Sequence, residues 1–458
     1  MKKSLSLLLA GFFCFCVVGG ATPPNILLIL ADDLGYADLS AQGCKQFQTP
    51  NIDSIATNGV RFTDGYVTNS VCAPSRAGIM SGRIDIGFEA NIPEDPNPNT
   101  GLDANLKTMA DMLKGAGYST FCIGKWHLGA DPQFYPTQRG FDYFCGLRAG
   151  SRSYFPNAAH DASNSPRRIE MNGRDVQFEG YLTDYFTDRA VELIESHAEK
   201  SPDKPFFMYL SYTAPHAPME ARPELSAKFT HIENEKRRIY AAMVTSLDQG
   251  VGRVLDSLKK NNLLENTLVV FLSDNGGPIA ANGSSNGPLK GQKGSLWEGG
   301  VRVPFLIQWT AKIPAGQVRA DVVSSLDLVP TFAAIAGTQP LDKATGINLI
   351  PHLESGGKKV GDRKLFWRRA KMQLCALRSG SFKWSEERKK GERSVFDLGK
   401  DIGEKTNLVT QMPELSEQLK QEYEQWERTV PEPAFDEKWD EKKEKQQQRE
   451  QQEYERTK

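Results

Sequence analysis

The run Asn25 to Asp33, NILLILADD, is apolar without a break until it stops at two aspartates. A segment apolar on both alternating faces reads as a strand buried between the layers of a parallel sheet. The pattern returns in NTLVVFLSDNGG, Asn266 to Gly277, and in KPFFMYLSYTAPHAP, which also ends in polar chemistry. Helical patterns lie between them: NLKTMADMLKGAGY near residue 105, YLTDYFTDRAVELIESHAEK near 181 and KRRIYAAMVTSLDQGVGRVLDSLKKNN near 236. Strands alternating with amphipathic helices predict an α/β fold whose central sheet is mostly parallel and flanked by helices. Ligands in such sheets bind beyond the carboxyl ends of the strands. Three strands that finish in Asp, Asn or His therefore point at one site.

A chain of 458 residues exceeds what one core holds, so a second, smaller unit is expected. After about Pro351 short alternating segments predict a small antiparallel sheet, and PELSEQLKQEYEQWERTV a closing helix. This gives a catalytic domain over 22–350, a C-terminal subdomain over 351–434 and a charged, Gln-rich tail over 435–458 with almost nothing to bury. Residues 1–21 read as a signal peptide: Lys2 and Lys3 precede an apolar run from Leu5 to Val18, then Gly19, Gly20 and Ala21. That run is shorter than the ~20 residues a membrane span needs, so the expectation is export to the periplasm or medium without stable membrane insertion. A retained anchor is the alternative. With 56 basic against 57 acidic residues, no nucleic-acid partner is expected. Cys44, Cys72, Cys122, Cys145 and Cys375 would remain after cleavage, an odd number that singles one out. If that one is Cys72, the other four allow three pairings or none.

Asp32 and Asp33 end one buried strand, and Asp274 and Asn275 another. Buried carboxylates need a partner, and an all-oxygen donor set suits Ca²⁺, or less readily Mg²⁺. The alternative is that each pair merely caps the next helix. GKWHLG places Lys125 and His127 two apart, on one face of an extended segment. His216 sits between prolines past a strand, and LKGQKGSLWEGGVRVP supplies Lys290, Lys293 and Arg302 among glycines. Such groups near a metal fit an anionic ester, lysines neutralising charge and histidines moving protons. His160, His197, His231 and His352 read as surface residues. Cys72 opens a helix in CAPSRAGIMSGR, where the helix start and Arg76 would lower a thiol pKa. A soft thiolate is nevertheless a poor match for a hard cation. An oxygen there would suit the metal better, which hints at modification.

Cys72 to Gly78, CAPSRAG, resembles the Cys-X-Pro-Ser-Arg signature of formylglycine-dependent sulfatases of the alkaline-phosphatase-like superfamily, in their bacterial polysaccharide-type branch. ADDLGYADLS, TPNIDSIATNGVRFTDGYV, GYSTFCIGKWHLG, LVVFLSDNGG, KGSLWEGGVRVPFLIQW and VFDLGKDIGEKTNL follow in the family's order, so the likeness runs from about Asn25 to Pro433. The resemblance implies that a separate formylglycine-generating maturation enzyme oxidises Cys72 to formylglycine, whose hydrated aldehyde is a geminal diol. One hydroxyl attacks sulfur and displaces the alcohol; the second lets the covalent sulfate leave as the aldehyde reforms. By motif position, Asp32, Asp33, Asp274 and Asn275 hold Ca²⁺ together with modified Cys72, and Arg76 orients the diol. His127 takes the second hydroxyl's proton, Lys125 and Lys293 clamp the sulfate, and His216 protonates the departing alcohol. Lys293 matches because it stands five residues before Glu298; Lys290 does not.

The chain departs from many relatives in IDIGFEANIPEDPNPNTG and in CGLRAGSRSYFPN, whose Arg148 and Arg152 are candidates for recognising a carboxylate or a second sulfate. They could equally decorate the surface. The implied activity is removal of sulfate from a sulfated oligosaccharide or polysaccharide. The alternatives are a phosphodiesterase or phosphonate monoester hydrolase of the same fold, and an inactive protein that binds sulfated glycans.

Overall fold

The computed structural model describes residues 23–84, 100–162, 165–354, 357–369 and 373–431. The expected signal segment, nearly all of the IDIGFEANIPEDPNPNTG stretch and the charged tail lie outside the described residues. No helix among the described residues is long and apolar enough to cross a membrane.

Ten strands form the main sheet: β1 (Asn25–Ala31), β2 (Val60–Tyr66), β3 (Ser119–Lys125), β4 (Tyr143–Leu147), β5 (Glu170–Met171), β6 (Arg174–Asp175), β7 (Phe206–Ser211), β8 (Thr267–Ser273), β9 (Phe305–Gln308) and β10 (Gln317–Ser324). Their order is β10-β2-β9-β8-β1-β7-β3-β4-β5-β6. The centre, β8-β1-β7-β3-β4, is parallel throughout. β9 runs antiparallel between β2 and β8, which leaves β2 pointing the same way as β8.

The unbroken apolar run of β1 has a simple cause. Ile26, Leu28 and Leu30 join one core, and Leu27, Ile29 and Ala31 join the other, on opposite faces of the sheet. The first face is covered by helices Met109–Gly115 and Leu328–Ile335, the second by helices Leu182–Lys200 and Glu235–Lys260. The longest of these starts at Asn234, whose side chain accepts the Arg237 N–H at 2.9 Å. Its buried Tyr240, Val244, Leu247, Val251, Val254 and Leu258 recur at helical spacing. Each large apolar side chain so buried contributes about 1.5–3 kcal/mol.

The C-terminal sheet is antiparallel and consecutive: β11 (Lys364–Arg369), β12 (Leu374–Ser379), β13 (Phe382–Glu387) and β14 (Glu392–Asp397). Helix Pro413–Glu427 packs Leu419 and Tyr423 against Cys375, Leu377, Trp384 and Val395. The other face carries Leu365, Trp367 and Ala376 against Tyr66, Leu296 and Val301 of the large unit. Charges lie buried in the same seam. Lys383 bonds Glu298 at 2.9 Å and Glu404 at 3.1 Å, while Arg302 and Arg378 reach Asp64 at 2.8 Å each. The fold class expected from the sequence is the one observed.

All five described cysteines are free, so none of the three possible pairings forms. His197, expected at the surface, is buried between Phe121 and Phe206, with Nε2 2.6 Å from the Lys204 carbonyl.

Candidate active site

The parallel strands deliver their carboxyl ends to one edge. Asp32 and Asp33 follow β1, and Asp274 and Asn275 follow β8; all four are buried. Asp33 has φ 65°, a conformation rare outside glycine and common where a site over-determines the backbone. Its N–H donates to Asp274 Oδ1 at 3.2 Å, and Asn275 Nδ2 donates to Asp33 Oδ1 at 2.6 Å. The Asp274–Gly277 turn is seated against the short helix Glu298–Val301 through glycine. A Cβ on Gly276 would stand 1.8 Å from the Gly299 carbonyl oxygen.

Each carboxylate meets a cation. Lys125, the last residue of β3, places Nζ 2.6 Å from Asp32 Oδ2. Lys293 Nζ lies 2.7 Å from Asp33 Oδ1, and Arg76 grips Asp274 Oδ2 through Nε at 2.9 Å and Nη2 at 2.8 Å. Burial would raise Asp274, but Arg76, Lys125 and Lys293 outweigh it and hold the carboxyl well below its usual range. Asp33 is likewise held low against burial by Lys293 and His216. Asp32 goes the other way, because burial and Asp274 together exceed the pull of Lys125.

Cys72 begins the helix Cys72–Ser81, every residue of which is buried. Arg76 is one turn on and so projects from the same face. Its Nη1 also donates to Ser211 Oγ at 2.5 Å and to the Lys125 carbonyl at 3.2 Å. Cys72 Sγ is 3.5 Å from Asp32 Oδ1 and 3.1 Å from Lys293 Nζ. The expectation of a lowered thiol pKa is corrected here. Burial, with Asp274 beside it, pushes the thiol up and outweighs the lysines, while Arg76 is committed to Asp274.

His216 Nε2 faces Asp33 Oδ2 at 3.5 Å, and its Nδ1 lies 2.6 Å from the Ala217 carbonyl. Burial keeps its pKa below the ordinary value despite Asp32 and Asp33. His127 does not share an extended face with Lys125. β3 ends at Lys125, and His127 sits in a left-handed turn at φ 55°. It is buried, its Nδ1 has no hydrogen-bond partner, and burial plus Lys125 and Arg76 depress its pKa strongly. Asp32, Asp33, Cys72 and His216 offer ligand atoms within 4.8 Å of one another. Asp274 and Asn275, at the end of β8, bring further oxygen atoms to the same strand-end edge, the donor type that hard cations take.

Lys290 stands apart, with Nζ 3.7 Å from the centre of the Trp297 ring. Arg148 pairs with Glu170 at 3.2 Å, and Arg152 with Asp161 at 2.9 Å, both guanidinium groups being buried. Sequence reasoning passed over Ser211, whose only signal is that it closes the apolar run of β7. It also used Glu298 merely as a spacing mark, whereas that carboxylate is the buried partner of Lys383.

The sulfatase family model matches residues 24–338. N-acetylgalactosamine-6-sulfatase of Homo sapiens is 35% identical over 380 residues, 78% of this chain and 70% of the relative. The Sus scrofa protein of the same name is 34% identical over 79% of this chain and 71% of the relative. The solved structure of Ps i-CgsB in complex with k-i-k-neocarrahexaose superposes with a TM-score of 0.83 at 37% identity, covering 90% of this chain and 94% of that one. The family model spans more than half of the chain and the relatives exceed 30% identity over two thirds of it, so the chain belongs to the sulfatase family.

Proposed function

We propose that this chain hydrolyses sulfate esters of a sulfated oligosaccharide or polysaccharide, using formylglycine made from Cys72 by a separate maturation enzyme, after export from the cytoplasm. The observation that carries the reading is the convergence of Lys125, Lys293 and Arg76 with Asp32, Asp33 and Asp274 around the Cys72 sulfur. The relatives support the substrate class: one is named for N-acetylgalactosamine 6-sulfate, and another was solved with a neocarrahexaose.

The donor set fits Ca²⁺. Asn275 Oδ1 is buried with no hydrogen-bond partner, an acceptor that costs free energy unless something binds it. Three carboxylates against three cations also leave the site near neutral before any ligand enters. Asp32, Asp33, Asp274, Asn275 and the modified Cys72 would hold the ion, which would supply two positive charges toward a sulfate oxygen. Formylglycine would supply, as its hydrate, one hydroxyl for attack and a second for sulfate release.

The remaining work would fall to other side chains of the same cluster. Lys125 and Lys293 would neutralise the sulfate oxygens, and Arg76, held on Asp274 one helical turn from residue 72, would orient the diol. His216, beside Asp33, would protonate the departing alcohol, and His127, kept unprotonated by burial, would accept the second hydroxyl's proton. Exclusion of water from these buried groups strengthens each charge contact.

The test is the mass of the tryptic peptide Phe62–Arg76 from protein matured in a host with the converting enzyme, together with rates on para-nitrophenyl sulfate and an aryl phosphodiester. An aldehyde at residue 72 and preference for the sulfate ester are expected. An intact thiol in an active preparation, or preference for the phosphodiester, overturns the reading.

A further inference from the structure

His127 occupies its left-handed conformation inside a frame made by the segment Arg148–Gly150. The His127 N–H donates to the Arg148 carbonyl at 3.1 Å, and the preceding Trp126 N–H to the Leu147 carbonyl at 3.0 Å. The same Arg148 turns its guanidinium back and donates through Nη1 to the Ala130 carbonyl, three residues beyond the histidine. One arginine therefore holds both ends of the turn, one with its backbone and the other with its side chain. The guanidinium is fixed in turn by Glu170 at 3.2 Å and by the Tyr135 ring, 4.6 Å from Cζ to the centroid. Glu170 is fully buried on β5, opposite Gly146 of β4. Gly150 completes the frame: a Cβ there would come within 2.7 Å of His127 Cε1 and Nε2, so the imidazole occupies the space a side chain would fill.

We propose that Arg148, anchored by Glu170, is a positioning residue for His127 rather than a contact to the sugar, and that Gly150 is the seat of the imidazole ring. Placement of the ring follows from the frame alone; its consequence for turnover rests on the reading of His127 as proton acceptor.

Two readouts separate these. In Cys72→Ala protein, the ring carbon–hydrogen NMR signal of His127, identified by its loss in His127→Ala, should move in Arg148→Met and Gly150→Ala. The signals of the other five histidines should stay in place. In matured enzyme with para-nitrophenyl sulfate, Arg148→Met and Glu170→Gln should lower kcat by about 100-fold, the scale of a misplaced catalytic group, with KM within about twofold. Arg148→Lys, which keeps the charge, should recover part of the loss. An unmoved His127 signal overturns the proposal, as does a raised KM at unchanged kcat, which would make Arg148 a substrate contact. Equal loss in Arg148→Lys and Arg148→Met with a collapsed thermal midpoint also overturns it, by reducing Arg148 to a structural role. Absence of turnover in the unmutated enzyme would count against the sulfatase reading, and the NMR shift would still decide the placement.

Discussion

Lys293 Nζ lies 3.1 Å from Cys72 Sγ, across 221 residues of chain, and 2.7 Å from Asp33 Oδ1. One ammonium thus joins the residue proposed as nucleophile to a residue proposed as metal ligand. The Gly294 N–H, bonded to the Ser70 carbonyl at 2.8 Å, ties the two segments together at the backbone. Loop geometry and charge reinforce each other at this contact.

Lys293→Met should therefore lower kcat/KM on an aryl sulfate by about 100–1,000-fold, as removal of a preorganised charge donor does. The metal-free variant should also melt earlier than the metal-free parent, because Asp33 keeps its burial and loses its cation. Steady-state kinetics and calorimetry read the two effects. An unchanged rate would remove Lys293 from the sulfate site.

Calcium should raise the thermal midpoint, and a chelator should lower it. At a hundredfold excess over Kd the ion adds about 2.7 kcal/mol to stability. Asn275→Ala removes the unpartnered Oδ1, so its midpoint should respond to calcium only at higher concentration. A response equal to that of the parent would take Asn275 out of the donor set.

Glu404 predicts a pH effect away from the active site. Burial, against the attraction of Lys383, raises its pKa from 4.5 to about 7, while Glu298 beside the same lysine is held at about 2. A group whose folded pKa is raised contributes stability that is complete below the unfolded value and is lost as pH rises through the folded one. Between pH 4.5 and 7 the parent should thus lose on the order of 3 kcal/mol relative to Glu404→Gln, whose side chain stays neutral. Chemical denaturation of both proteins across that window measures it. Parallel pH profiles would mean that Glu404 is ionised throughout.

Gly276→Ala tests the backbone contact under the site. Its methyl group would meet the Gly299 carbonyl at 1.8 Å, so the Asp274–Asn275 turn and the short helix Glu298–Val301 must separate. Loss of both the calcium response and activity is expected, with a lower thermal midpoint. Gly316→Ala is a useful control for strain alone, since Gly316 has φ 75° and no atom within 4 Å of its Cβ position. Equal effects of the two substitutions would remove the role given to close approach.

The strand ends were readable because their signal is local. An apolar run buried on both faces must stop where the backbone leaves the sheet, and Asp32, Asp33, Asp274 and Asn275 stand at that point in the sequence itself. Cys72 and Arg76 were readable for a similar reason, being four residues apart on one helix. Arg148 and Arg152 could not be placed in this way. Whether a guanidinium faces a ligand or a buried carboxylate depends on Glu170 and Asp161, which separate loops bring to them. The conformation of His127 was likewise hidden, because it depends on hydrogen bonds to a neighbouring strand's end rather than on its own neighbours in sequence.

Sequence alone determined the α/β class, the edge of the sheet that carries the site, and the residue types gathered there, since periodicity and motif spacing are properties of short segments. Tertiary structure decided which cation meets which carboxylate, that the Cys72 thiol is buried and its pKa raised, and that Glu298 is held by Lys383, 85 residues away. Charge energies depend on distance and desolvation, and only the packed chain sets either.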